Sequence, residues 1–226
     1  NQTFDSWSNS VEFVINYSPE TICIYPLTLR PNTAYSQKGY SVIDSEIQSK
    51  KYDFALNALT KAGYKQENHV RFVKKNGGYL QKEYHWKMEN LLGLGAGARS
   101  YFWLCDTRNN YGTFTRDKAY KYYVESIKNL QIPITDGYIM TDEERMRKAI
   151  ILNLVSLDRQ WFRDMFTVDI IEVFPSLKEL EAMELLSINE ARIELTETGI
   201  KYRDLIVQLF FSSKVIGNIK NYRYDD

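Results

Sequence analysis

The residues best suited to chemistry lie between Leu91 and Ser100, LLGLGAGARS. Gly93, Gly95 and Gly97, with Ala96 and Ala98 among them, leave almost no side chain over this stretch. A backbone so bare can approach a ligand closely and offer it N–H groups. The pattern is not a G-x-G-x-x-G opening a helix, because Tyr101–Cys105 (YFWLC) reads as a strand. A tight glycine turn packed on a sheet fits the same composition. The chain has two cysteines, Cys23 and Cys105, and two histidines, His69 and His85. Neither pair has metal-site spacing such as C-x-x-C or H-E-x-x-H, so no metal ligands are assigned. Both cysteines lie in apolar runs and read as buried, reduced thiols of a cytoplasmic protein.

The elements that must position these residues follow from periodicity. Phe4, Trp7, Val11, Val14 and Ile15 predict an amphipathic helix over 3–17, ended by Pro19. Thr21–Tyr25 predicts a short buried strand, and helix followed by strand is the tail of a βαβ unit. Pro26, Pro31 and Asn32 mark an irregular loop. A second helix is expected over 41–62, stopped by Gly63. Val70–Val73 reads as a strand, Asn76-Gly77-Gly78 as a turn, and Tyr79–Trp86 as the return strand. Asp106–Tyr111 reads as a loop, Thr115 as the cap of a helix to Leu130, and Ile132–Gly137 as a linker. In the last third, Thr141–Glu144 and Ser176–Glu179 are capping boxes, and Trp161–Phe166 is a short helix or turn. A hairpin follows around Asn189-Glu190, and Thr196–Gly199 opens a final helix through Phe211. Helix, helix, hairpin, helix is a winged-helix-like order.

The 226 residues are 44% apolar and 26% charged, which suits one large globular domain or two small ones. The 29 basic residues cancel the 29 acidic ones, which argues against a nucleic-acid or anionic-membrane partner. Residues 141–226 hold 12 basic and 16 acidic side chains, so a winged helix there is a poor DNA reader and a better packing or lid module. No run of about 18 apolar residues exists to span a membrane. The chain begins NQTFDSWSNS, with neither an initiator Met nor a signal peptide, and so reads as part of a longer or processed protein.

Four motifs in order carry a resemblance. Asn1-Gln2-Thr3 with Trp7, then Tyr25-Pro26-Leu27-Thr28, match GQT-x-E-x-W and Y-P-L-T. Leu92–Ser100 matches L-G-L-G-x-x-A-x-S; Thr141, Glu144, Arg147 and Ile150 match T-x-x-E/D-x-x-R-x-x-I; Leu195–Gly199 matches L-T-x-x-G. Together they resemble the second half of oxygen-independent coproporphyrinogen III oxidase-like radical S-adenosylmethionine (SAM) proteins. The resemblance implies an α/β (α+β) fold: residues 1–137 as the C-terminal part of a partial (β/α)6 barrel, and 138–226 as a helical, winged-helix-like C-terminal domain. It implies porphyrin biosynthesis with SAM and a [4Fe-4S] cluster in the full-length protein, the cluster held on a C-x-x-x-C-x-x-C loop of an N-terminal part. With two cysteines the chain cannot supply three cluster thiolates. No cluster is therefore expected on it, and alone it is expected to be inactive.

By the same resemblance, the cofactor site takes Tyr25 and Thr28 at a strand end, and Gly93, Gly95, Gly97, Ala98 and Arg99 in the glycine run. Arg99 stands where the oxidase has an apolar residue and the haem-chaperone branch a His; an Arg there can pair with a carboxylate of SAM or of a substrate propionate. The chaperone branch's H-N-x-x-Y-W is replaced by Gln81-Lys82-Glu83-Tyr84-His85-Trp86, which leaves His85 as a weak haem-ligand candidate, a lone His beside Trp being more often a rim residue. The implied partners are a tetrapyrrole or other small-molecule substrate and the N-terminal cluster domain. The alternatives are a haem chaperone, a radical SAM methyltransferase, a haem-degrading relative or a stand-alone binding module. A truncated sheet would expose an unpaired edge and invite dimerisation.

Overall fold

The computed structural model describes residues 2–27, 37–39, 45–109 and 116–221. The chain divides into two compact units, Asn1–Tyr79 and Leu80–Asp226. Thr28, Pro31, Asn32, Tyr111 and Thr115, expected as a cofactor contact, loop residues and a cap, lie outside the described residues.

In the first unit, helix α1 (Phe4–Tyr17) begins where expected, with the Thr3 hydroxyl accepting the Ser6 N–H at 3.2 Å. It ends on Ser18 in the left-handed region, whose N–H reaches the Val14 carbonyl at 2.9 Å. Helix α2 (Ser45–Lys61) lies against α1: the Trp7 indole N–H donates to the Lys51 carbonyl at 2.8 Å, and Phe4 meets Phe54 edge-on at 5.4 Å. Strands β1 (Thr21–Cys23), β2 (Lys65–Gln66) and β3 (Arg71–Val73) form a sheet ordered β1-β3-β2. Both pairings are antiparallel, with Ile22 opposite Phe72. β1 meets no parallel neighbour among the described residues. The strand also stops at Cys23, whose side chain is exposed rather than buried. Ile22, Leu59, Tyr64 and Phe72 close the core between the sheet and α2.

The second unit opens with helix α3 (Leu80–Trp86), not the expected return strand. None of its residues is β-branched, and Leu, Gln, Lys and Glu at its start all favour helix. Strands β4 (Arg99–Tyr101), β5 (Cys105–Asn109) and β6 (Ile134–Ile139) form an antiparallel sheet ordered β4-β5-β6, with helix α4 (Arg116–Lys128) between β5 and β6. YFWLC is thus a hairpin turn rather than one strand, closed by the Phe102 N–H on the Cys105 carbonyl at 2.9 Å. The expected loop at 106–111 is largely β5, and the expected linker at 132–137 is mostly β6. Gly137 pairs with Thr107 and sits tightly on it, so its missing side chain serves a close strand contact rather than a turn.

The last third holds α5 (Asp142–Asn153), β7 (Ser156–Asp158), α6 (Arg159–Phe166), α7 (Ile170–Val173), α8 (Ser176–Ala182), β8 (Leu186–Ile188), β9 (Arg192–Leu195), α9 (Glu197–Lys201), α10 (Arg203–Gln208) and α11 (Ser213–Asn221). The expected hairpin is β8–β9, and β7 completes an antiparallel sheet ordered β7-β9-β8. Thr141 caps α5 as expected, accepting the Glu144 N–H at 3.3 Å. Ser176 does not cap: it already lies inside α8, behind Pro175. The final helix expected to run through Phe211 is broken at Tyr202 into α9 and α10. Phe162, Leu177 and Phe210 are fully buried at the centre of one core spanning α5 to α10. The mixed α+β class matches the expectation. No helix among the described residues is long and apolar enough to cross a membrane.

Candidate functional site

The glycine run folds back onto the sheet that follows it. Gly95 and Gly97 take φ of +108° and +76°, values that L side chains rarely adopt. Gly93 is glycine for a different reason: a Cβ there would run into the backbone of Arg99. The loop's polar groups are consumed internally. The Gly93 N–H donates to Ser100 Oγ at 3.0 Å, the Gly95 N–H to the Tyr123 hydroxyl at 3.0 Å, and the Gly97 N–H to the Asn109 carbonyl at 2.8 Å. The Ala98 N–H turns to the Gly95 carbonyl at 3.3 Å. Buried Asn109 returns two bonds, its Nδ2 donating to the carbonyls of Gly93 and Gly95 at 3.0 and 3.2 Å. The expectation of free N–H groups is therefore corrected at these four positions: they build the loop, and what remains for a ligand is its bare surface.

Arg99 is the polar exception. It opens β4, is exposed, and makes no ion pair among the described residues. Directly opposite on β5 stands Arg108, which is neutralised by a fork to Asp136 on β6, Nη2–Oδ2 at 2.9 Å. Like charges opposite one another on neighbouring strands repel, so the Asp136 fork leaves Arg99 the open cation of the row. Leu92 and Leu94 are also exposed, at 72% and 79%. Of the other expected contacts, Tyr25 belongs to the first unit, is 68% exposed and follows β1, while Thr28 lies outside the described residues. We expect Gly93→Ala to push Arg99 aside and destabilise the second unit by about 1–2 kcal/mol, with faster amide exchange confined to residues 91–101. Unchanged exchange there would show that the approach is not needed.

A second cluster joins α3, β4, β5 and α5, and sequence reasoning missed most of it. Lys148 Nζ reaches Asp106 Oδ1 at 2.6 Å and lies 5.2 Å from the Tyr101 ring centroid. His85 stacks on the same ring at 4.0 Å, tilted by 30°. His85 is half-buried, and its Nε2 is closed off without a hydrogen-bond partner. Nothing in the sequence joined Lys148 to Asp106, because their meeting depends on the register that sets Tyr101 opposite Asp106. Among the described residues, no group of three or more His, Cys, Asp or Glu is placed to hold a metal ion.

Comparison with known proteins places the chain beside one group of relatives. Residues 140–201 match the family model of the HemN C-terminal domain. The chain is 22% identical over 229 residues to oxygen-independent coproporphyrinogen III oxidase of Helicobacter pylori (strain J99), covering 88% of this chain and 47% of that protein. It is 23% identical over 220 residues to the enzyme of the same name from Pseudomonas aeruginosa, covering 88% and 46%. Heme chaperone HemW of Haemophilus influenzae is 26% identical over 98 residues, 43% of this chain and 26% of that one. The solved structure of coproporphyrinogen III oxidase (HemN) from Escherichia coli, described as a radical SAM enzyme, superposes with a TM-score of 0.72. That match has 16% identity and covers 92% of this chain and 52% of that one. The chain thus has the fold of a HemN-like C-terminal segment and spans about half the length of the coproporphyrinogen III oxidases it matches.

Proposed function

We propose that this chain forms the rear portion of a radical SAM oxidoreductase of the coproporphyrinogen III oxidase type. The observation that carries the reading is the fold likeness over 92% of the chain, with the HemN C-terminal domain match at 140–201. In the full-length protein SAM would supply a 5′-deoxyadenosyl radical, and a [4Fe-4S] cluster the electron that releases it. The cluster does not fit this chain, whose two cysteines fall short of three thiolates. SAM, or a substrate carboxylate, fits better: Arg99 is an exposed guanidinium with no ion pair among the described residues, beside a loop stripped of side chains. Gly93, Gly95, Gly97 and Ala98 would supply the remaining surface, by shape rather than by their N–H groups.

A second reading, a haem chaperone, is favoured by the likeness to HemW. One anaerobic experiment separates the two. The full-length protein, supplied with iron, sulfide, reductant and SAM, is assayed for 5′-deoxyadenosine with coproporphyrinogen III and for binding of haem. Substrate-dependent 5′-deoxyadenosine and loss of carboxyl groups supports the oxidase. Haem binding without turnover supports the chaperone. Neither result would leave a binding module. The same reconstitution of the present 226 residues should yield less than one cluster per chain, and a stoichiometric cluster would refute the assignment of its ligands to other residues.

A further inference from the structure

We propose that His85 is a proton-operated latch: neutral, it holds α3 on β4 and β5, and protonated, it lets α3 go. The inference stands apart from radical chemistry and rests on the second cluster alone. Helix α3 has seven residues, too few to hold a helix in water without packing. Its moorings are the His85–Tyr101 stack, the Asn153 Nδ2 bond to the Trp86 carbonyl at 2.9 Å, and Met88, just beyond its end, in the core. Two charges face the imidazole, Lys148 from α5 and Asp106 from β5, while β4 contributes the uncharged Tyr101 ring. Asp106 is already committed to Lys148 at 2.6 Å.

Adding a proton to this imidazole sets a second cation beside Lys148. If the proton goes to Nε2, it also creates a buried donor with no acceptor. Undocking relieves both by giving the ring to water. The docked ring accordingly titrates below its ordinary value of 6.5, held down first by burial and then by Lys148, with Asp106 pulling the other way. Docking therefore binds the proton less well than release does. The latch is firmest above 6.5 and weakens as pH falls from there. The consequence reaches the glycine run. Five residues after α3, Leu91 exchanges both backbone hydrogen bonds with Tyr101, each 2.8 Å, so α3 governs how firmly the run's entrance is held.

The test is amide exchange of residues 80–92 in the full chain at about pH 7.5 and about pH 5.5, either side of the ordinary histidine value, expressed as protection factors. Protection is expected to fall on acidification by up to about tenfold for each unit by which docking lowers the histidine's pKa. Protection of β7, β8 and β9 should stay constant. His85→Phe keeps an aromatic ring on Tyr101 but takes no proton, so its protection should not respond. Lys148→Met frees Asp106 for the imidazolium, so the acid loss should shrink. An identical pH response in wild type and His85→Phe would overturn the latch, as would no response in wild type. Should His85→Phe fail to fold, the NMR titration of the His85 ring decides: a midpoint at or above the ordinary value overturns the proposal.

Discussion

Gly199→Ala is expected to destabilise the second unit by about 3 kcal/mol, more than Gly93→Ala. Gly199 lies in the first turn of α9 with ordinary helical geometry, so backbone freedom is not the reason for glycine. Space is the reason. A Cβ would be driven into the carbonyl oxygen of Leu185, with Leu195 Cδ2 3.2 Å away on another side. That carbonyl cannot move freely, because it accepts the Thr196 N–H at 3.1 Å. Thr196 in turn caps α9, its hydroxyl accepting the Gly199 N–H at 3.0 Å and donating to the Glu184 carbonyl at 2.8 Å. The L-T-x-x-G motif is therefore a joint at which the turn after α8, the end of β9 and the start of α9 meet. Urea unfolding followed by far-ultraviolet circular dichroism measures the loss. Gly217→Ala in α11 is the control: its Cβ meets nothing within 4 Å, so it should be neutral or stabilise by up to about 1 kcal/mol. Equal behaviour of the two variants would show that the Leu185 carbonyl yields.

Where packing repeats at a fixed period and a cap precedes it, the fold was legible from residues alone. Thr3 with Phe4, Trp7, Val11 and Val14 announced α1, and Thr141 with Ala149 and Ile150 announced α5. The failures have physical causes. Thr135-Asp136-Gly137 mimics a turn, but in β6 the Gly137 backbone lies close on Thr107, a contact that only the partner strand reveals. The place of Tyr79–Trp86 after a glycine turn suggests a strand, but the helix-favouring character of its residues prevails. Half of the candidate site was legible. Bare glycines and Arg99 are visible in composition. That the N–H groups are consumed by Ser100, Tyr123 and Asn109 depends on tertiary geometry. The cluster of His85, Tyr101, Asp106 and Lys148 was invisible for the same reason, since Lys148 and Asp106 are 42 residues apart.

Asp169→Asn should cost about 3 kcal/mol at neutral pH, and the loss should fade in acid. Asp169 is a hub: its Oδ1 caps α7 by accepting the Ile171 N–H at 2.9 Å, and its Oδ2 accepts from Arg159 at 2.8 Å and from Arg163 at 2.5 Å. Burial alone would raise its pKa. The Ile171 N–H and the two guanidinium groups, Arg159 and then Arg163, overcome burial and hold it below the ordinary 3.8. The group's contribution is thus complete above the ordinary value and is lost as pH falls through the folded one. Asparagine retains the cap oxygen, so the substitution isolates the charge. It turns an amide N–H₂ toward Arg159, a side chain only 14% exposed whose Nε is already buried without a partner. Arg163, at 37% exposure, can turn to water and contributes less. Urea unfolding of both proteins at neutral pH and again below the ordinary carboxylate range supplies the comparison. The gap should narrow on acidification because the wild type loses stability while the variant lacks that titration. A gap that stays constant with pH would assign the loss to packing rather than to charge.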